Sequence, residues 1–191
     1  MSSTDHYPIR AQEFPRAALE AAGQSTWAER SSWIARLGGV LREHATELER
    51  AIAIDTDKLR PDAAAEVRAA VDACLFYGSN AQHWSHWSPW ASRSPGVVIA
   101  ETPLGNPLWR LIRLALPVLS GGGILMVTFP ERSVRTVELL ARAVECAGFA
   151  DGTVTVCAEE PRPRGDVRTR LRVNDLAVAR QLVGFLPVLA S

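Results

Sequence analysis

The chain is 191 residues long, 47% of them hydrophobic, with 21 basic and 21 acidic side chains and a formal net charge of zero. That length holds one domain, or one domain with a helical appendage, and the apolar fraction is enough for a real core. A neutral chain lacks the cationic surplus of a nucleic-acid or anionic-membrane binder, and no apolar run approaches the roughly 18 to 20 residues that span a bilayer, so neither partner is expected.

In chain order, the first ninety residues read as helices. Ala11 to Ala22 is amphipathic, with Pro15 inside it and Gly23 as its stop. Ser25 or Thr26 can cap a second helix carrying Trp27, Trp33, Ile34, Leu37 and Leu41 at helical spacing. Gly38-Gly39 weakens that helix by roughly 1 kcal/mol per glycine relative to alanine, so it must rely on packing. Thr46-Glu47-Leu48-Glu49 fits a capping box opening a third helix. Pro61-Asp62 opens a fourth, with Val67, Val71, Cys74 and Leu75 as its apolar stripe to about Trp84.

Ser88 to Pro95 is a loop by composition, and after it the period changes. Val97 to Ala100 is a continuous apolar run, the mark of a strand buried on both faces. Pro107 suits a helix first turn, Leu108 to Leu119 follows, and Gly121-Gly122-Gly123 ends it. Ile124 to Phe129 reads as a second strand. Ser133 caps a helix through Ala147, closed by Gly148, and Thr153 to Ala158 is a third strand. Glu159 to Arg170 is a charged loop, Asn174 or Asp175 caps a short helix, and Leu182 to Leu189 reads as a fourth strand.

Alternating strands and helices predict the fold class: α/β, a Rossmann-like open parallel sheet of about four strands with an N-terminal helical layer. The division is residues 1–94 as the helical segment and 95–191 as a partial Rossmann-like domain, together one compact unit. In such a sheet the loops beyond the carboxyl ends of the strands line a crevice, and that crevice is the default small-molecule site.

Other features weigh against richer readings. Cys74, Cys146 and Cys157 are too scattered for a disulfide framework or a zinc site; reduced thiols in a cytoplasmic protein are expected, with no metal. His83 and His86 stand three apart, but nothing near them completes a ligand set, and Trp84, Trp87 and Trp90 read as packing or as a patch for a partner. Gly121-Gly122-Gly123 lacks a P-loop lysine and follows a helix, so it is a helix stop. Arg162, Arg164, Arg168, Arg170 and Arg172 read as a solvated surface.

Pro95-Gly96-Val97-Val98, Thr102-Pro103-Leu104-Gly105-Asn106-Pro107 and the helix after them resemble the start of the NAD-binding domain of the aldehyde dehydrogenase superfamily, which typically carries Pro-Leu-Gly-Val-Val and Thr-Pro-Trp-Asn-Phe-Pro there. Leu139 to Gly152 resembles the family's leucine-rich helix and the Ala-Gly-Leu-Pro-Pro-Gly after it. Ile54-Asp55-Thr56-Asp57-Lys58 stands near the usual Thr-Gly-Lys, with Glu66-Val67 echoing Glu-Val. The resemblance runs along most of this chain and covers well under half of a typical member.

The resemblance implies a cofactor site at Thr102, Pro103, Leu104, Gly105, Asn106, Thr128, Pro130 and Glu131, and NAD(P) as its cofactor. This sequence departs from the pattern within that site. The family's asparagine, which donates its amide to an oxyanion, falls on Gly105, with Asn106 one residue late. The ribose-binding lysine of Lys-Pro-Ser-Glu falls on Thr128; Glu131 keeps the glutamate, and Lys58 is the only lysine in the chain. Glu159 and Glu160 stand where a glycine usually admits the cofactor. No residue matches the family's catalytic cysteine or glutamate.

The function expected is that of a shortened relative, a small-molecule-binding or accessory protein without dehydrogenase activity on its own. The alternatives are half of a split NAD(P)-dependent dehydrogenase and a repurposed non-redox biosynthetic enzyme. Expected partners are a small-molecule ligand and a protein, either another copy of this chain or a catalytic aldehyde dehydrogenase subunit.

Overall fold

A computed structural model describes residues 16–80, 94–102, 105–157 and 169–172. Four helices come first: α1 (Arg16–Gln24), α2 (Trp27–Glu43), α3 (Ala45–Thr56) and α4 (Arg60–Ser79). The α/β part follows as β1 (Val97–Glu101), α5 (Pro107–Ser120), β2 (Ile124–Thr128), a single 3-10 turn (Glu131–Ser133), α6 (Val134–Ala147), β3 (Val154–Cys157) and β4 (Thr169–Arg172). The strands form one parallel sheet in the order β3-β2-β1-β4.

The sequence reading of this architecture holds, with local corrections. Thr26, not Ser25, caps α2, and it is here that the capping box forms. The Glu29 backbone N–H donates to the Thr26 hydroxyl, and the Thr26 N–H donates to the Glu29 carboxylate at 2.7 Å. No such box forms at Thr46 to Glu49. Only His44 separates α2 from α3, and the Leu48 N–H already donates to the His44 carbonyl, which places Thr46 inside the helix. α1 runs through Gly23 to Gln24, and α4 ends at Ser79. Residues 11–15 and Trp84 lie outside the described residues.

The fourth strand of the sheet is Thr169–Arg172, in register with Val98 to Glu101. The sequence reading split this stretch between a charged loop and a solvated arginine run. A Thr-Arg-Leu-Arg edge strand carries no apolar run, which is the signal that identified the other three. Leu182 to Leu189 and the Asn174/Asp175 cap lie outside the described residues.

Alternation along the strands sorts the core. Val98, Ala100, Leu125 and Val127 face the large cluster built from α2, α3, α4, α5 and α6. Val97, Ile99, Ile124 and Met126 face the other way, against Ala18 and Ala22 of α1. Successive strand residues point to opposite faces, so a strand with both faces covered must be apolar throughout, as β1 and β2 are. Consecutive crossovers in one direction carry α5 and α6 to the same face. Gly148 closes α6 in the left-handed conformation (φ 72°), which costs glycine nothing. The Arg36 side chain of α2 completes that end by donating to the Ala147 carbonyl at 2.8 Å.

Candidate functional site

The carboxyl edge of the sheet, where the crevice is expected, begins where β1 and β2 end. Beyond Glu101, the Thr102 N–H donates to the Thr128 carbonyl at 2.9 Å, and the Thr102 hydroxyl donates to the same oxygen at 3.3 Å. The two threonines, both buried, close the carboxyl edge of the β1–β2 pair. On the far side of β2 the Phe129 N–H donates to the Cys157 carbonyl at 2.8 Å, bringing the end of β3 into the same rim. The structure therefore brings Thr102 and Thr128 together, with Gly105 and Asn106 exposed ahead of α5 and Glu131 exposed ahead of α6. Pro130 is half-buried at the start of the turn, and Pro103 and Leu104 lie outside the described residues.

Each helix flanking the crevice starts without a cap of its own. Ser133 makes no side-chain cap on α6, contrary to the sequence reading, and Asn106 makes none on α5. The first turn of a helix leaves backbone N–H groups without partners, and here two carboxylates from the α3–α4 hairpin supply them. Asp55 accepts from the Thr136 N–H and the Thr136 hydroxyl, both at 2.9 Å, and from Arg135 at 3.3 Å. Glu66 accepts from the Trp109 N–H at 3.1 Å and from the Lys58 ammonium at 2.5 Å. Lys58 also donates to the Asn106 side-chain carbonyl. The Asp55 side chain is 0% exposed and that of Glu66 2%. A buried carboxylate needs partners of this kind to stay in the core.

Sequence reasoning quoted Asp55, Lys58 and Glu66 only as echoes of a pattern, and missed their role. A signal was present. Leu48, Ala51, Ile52 and Asp55 are the buried residues of α3, and Ala63, Glu66, Val67 and Ala70 lie together on that of α4. An acid standing in an apolar stripe calls for donors from elsewhere in the fold.

All three thiols can be placed. Cys74 is buried between α2 and α4, and burial pushes its thiol up to about 12. Cys146 is exposed in the last turn of α6, which runs back toward the amino edge of the sheet, away from the crevice. Cys157 is at the rim, where its thiol donates to the Val127 carbonyl at 3.4 Å and lies 3.9 Å from the Thr128 hydroxyl. A nucleophilic cysteine needs a thiolate held by a cationic or helix-end setting, whereas the Cys157 sulfur is in contact with the Val127 carbonyl and the Thr128 hydroxyl of its own sheet. Under native conditions a thiol reagent is expected to modify Cys146 in the fast phase and Cys74 only on unfolding. Retention of the fast phase in C146S contradicts that assignment.

The model for the aldehyde dehydrogenase family matches residues 8–171. The chain belongs to the aldehyde dehydrogenase family. It is 25% identical over 174 residues to a probable NADP(+) succinate-semialdehyde dehydrogenase of Synechocystis, covering 86% of this chain and 37% of that relative. It is 25% identical over 148 residues to an NAD(P)+ succinate semialdehyde dehydrogenase of Escherichia coli K12, covering 70% and 32%. The chain thus spans about a third of the length of the curated relatives it matches.

Among solved structures the fold is similar to HpcC of Thermus thermophilus, with a TM-score of 0.66 at 19% identity over 85% of this chain and 31% of that one. It is also similar to succinic semialdehyde dehydrogenase of Streptococcus pyogenes in complex with NADP+, with a TM-score of 0.63 at 18% identity, over 76% and 36%.

Tested against a dinucleotide, the described residues of the aldehyde dehydrogenase crevice do not fit in the manner the resemblance implies. Thr128 stands where the ribose-binding lysine would be, and its hydroxyl is turned to Cys157 inside the sheet edge. The anion-attracting ends of α5 and α6 already carry a carboxylate each, Glu66 on the Trp109 N–H and Asp55 on the Thr136 N–H. Glu131 keeps its exposed carboxylate. Among the described residues no group of His, Cys, Asp and Glu could hold a metal ion, and no helix is long and apolar enough to cross a membrane. His83, His86, Trp84, Trp87, Trp90, Glu159, Glu160 and Arg162, Arg164 and Arg168 lie outside the described residues.

Proposed function

We propose that this aldehyde dehydrogenase relative binds a small carbonyl compound in the crevice formed by Thr102, Gly105, Asn106, Thr128 and Glu131, and that it does not oxidise aldehydes by itself. The observation carrying this reading is the state of the thiols. Aldehyde oxidation by the family's route needs a thiolate to add to the carbonyl and a cofactor to take the hydride. Cys74 is buried and protonated, Cys146 is at the far edge, and Cys157 is engaged with its own sheet. The absence of a cation at Thr128 supports the same conclusion for the cofactor. The curated relatives are named for succinate semialdehyde, which makes that compound the natural probe.

Trp109 is half-buried in the first turn of α5, beside the crevice, so ligand binding there alters indole fluorescence. Titration with succinate semialdehyde is expected to give a saturable change that W109F abolishes. NAD+, NADH and NADP+ are expected to give a flat response up to millimolar concentration. Saturable dinucleotide binding in the micromolar range, or aldehyde-dependent reduction of NAD(P)+ by the purified chain, overturns the reading.

A further inference from the structure

We propose that Arg30 heads a binding site for a small oxyanion, a carboxylate or a phosphate group, at the amino edge of the sheet. The site lies at the opposite end of the strands from the crevice and stands independently of what the crevice binds. Arg30 belongs to the start of α2 and is only 9% exposed. Arginine is seldom this enclosed without a counter-ion. Here no carboxylate among the described residues pairs with it. Glu29, the acid beside it in sequence, is exposed and turned to its own cap, accepting from the Thr26 N–H at 2.7 Å and the Thr26 hydroxyl at 2.8 Å. Burial draws the Arg30 pKa below the usual arginine value, by more than the Glu29 charge restores.

Three contacts fix the guanidinium. Its Nε donates to the Thr26 carbonyl at 3.3 Å. Its Cζ lies over the Trp27 ring, 4.7 Å from the centroid. Its Nη1 lies against Gly122, where an added methyl group would strike it. Gly122 has a left-handed backbone (φ 72°), so glycine there both relieves the turn and leaves the space that Nη1 uses.

The carbonyls that end α1 and α5 beside it have other donors. Ala22 accepts from the Ser25 hydroxyl at 2.6 Å, Leu119 from the Gly122 N–H at 3.1 Å and Val118 from the Gly123 N–H at 3.0 Å. The Gly122 carbonyl takes the Ser94 hydroxyl at 2.8 Å. Nη1 and Nη2 make no hydrogen bond among the described residues. Both reach the surface, since the fully buried side-chain atoms without a partner among those residues are the Ser133 and Thr153 hydroxyls. A guanidinium held at Nε offers its two Nη groups as a fork, which matches the paired oxygens of a carboxylate or a phosphate.

The test is titration of the 15N-labelled chain with sodium phosphate and, separately, sodium acetate, with chloride holding the ionic strength constant. The Arg30 Nε–H and Trp27 indole resonances are identified by their loss in R30K and W27F. Either anion is expected to move both resonances together and saturably, with a midpoint of about 1 mM for two charge-assisted hydrogen bonds. Saturation by phosphate alone identifies a phosphoryl ligand, and saturation by acetate as well identifies any small oxyanion. R30M is expected to weaken the binding at least about tenfold, read from the Trp27 resonance, and R30K, which keeps the charge and loses the fork, to fall between R30M and wild type. R30K keeps the comparison usable if R30M folds poorly. Unsaturable shifts with both anions, saturable binding that leaves the Arg30 and Trp27 resonances in place, or R30K binding equal to wild type overturns the proposal.

Discussion

Replacing Asp55 with alanine is expected to lower the unfolding free energy by about 3 kcal/mol, because two buried donors lose their partner at a cost of roughly 1 to 3 kcal/mol each. The donors are the backbone N–H and the hydroxyl of Thr136, a residue with no exposed surface, each 2.9 Å from the same carboxylate oxygen. The N–H belongs to the first turn of α6, so the charge also complements that end of the helix dipole. For a chain of this length the loss corresponds to a fall in Tm of roughly 6 to 12 °C.

Companion substitutions separate the contributions. T136V should cost about 1 kcal/mol, since it removes one hydrogen bond and keeps the other. R135A should cost well under 1 kcal/mol, because that side chain is 62% exposed and solvent screens the pair. D55N, which keeps the shape and loses the charge, should fall between D55A and wild type. Urea unfolding of the four variants measures the series. A D55A midpoint within error of R135A would show that Asp55 carries no structural weight.

The same pair of acids marks how far the sequence could be read. The strands Val97–Glu101 and Ile124–Thr128 and the helices α2, α5 and α6 were legible because each rests on a local pattern: an unbroken apolar run, a helical stripe, or a proline or glycine at an end. The carboxyl rim was legible too, since a parallel sheet must place Thr102 and Thr128 side by side once β1 and β2 pair in register. The clamps behind the rim were not. Glu66 meets the Trp109 N–H across 43 residues of chain, Lys58 meets Asn106 across 48, and Asp55 meets Thr136 across 81. No window of sequence contains both partners.

The capping assignments failed for the same reason. Ser133 stands where a cap belongs, yet its hydroxyl makes no hydrogen bond among the described residues, and the acid that serves α6 comes from α3. β4 escaped because it is an edge strand without an apolar run. Asn106 was read as a residue out of step with a known pattern. Its left-handed backbone and its bond to the lone lysine give it a place that only the folded chain shows.

The second large effect is expected at Gly78, in the last turn of α4. A methyl group added there would lie 2.6 Å from the Ala35 Cβ and 2.9 Å from the Ala35 Cα of α2. The second contact is with backbone, which no side-chain rotation relieves, so the two helices must separate. The separation also strains the bond from the Ser31 hydroxyl to the Gly78 carbonyl, a link between the same pair of helices. Overpacking of this kind typically costs about 1 to 3 kcal/mol or more. Alanine recovers at most about 1 kcal/mol of helix propensity, so a net loss of about 2 kcal/mol is expected for G78A.

Gly39 is the control. Nothing lies within 4 Å of a methyl group there, so G39A should keep the propensity gain and stabilise the chain by up to about 1 kcal/mol. Its neighbour Gly38 should behave like Gly78, because its methyl would meet the Cys74 Cβ at 2.8 Å. If the clash with Ala35 is the cause, A35G/G78A should lose less than the two single substitutions added together, since A35G removes the Cβ that the new methyl group strikes and the methyl fills the space it leaves. Strict additivity in thermal unfolding, or a G39A chain less stable than wild type, would contradict this account of how α2 and α4 pack. The stakes reach the crevice, because α4 carries Glu66, and a shift of α4 against α2 moves the acid that holds Lys58 and the first turn of α5.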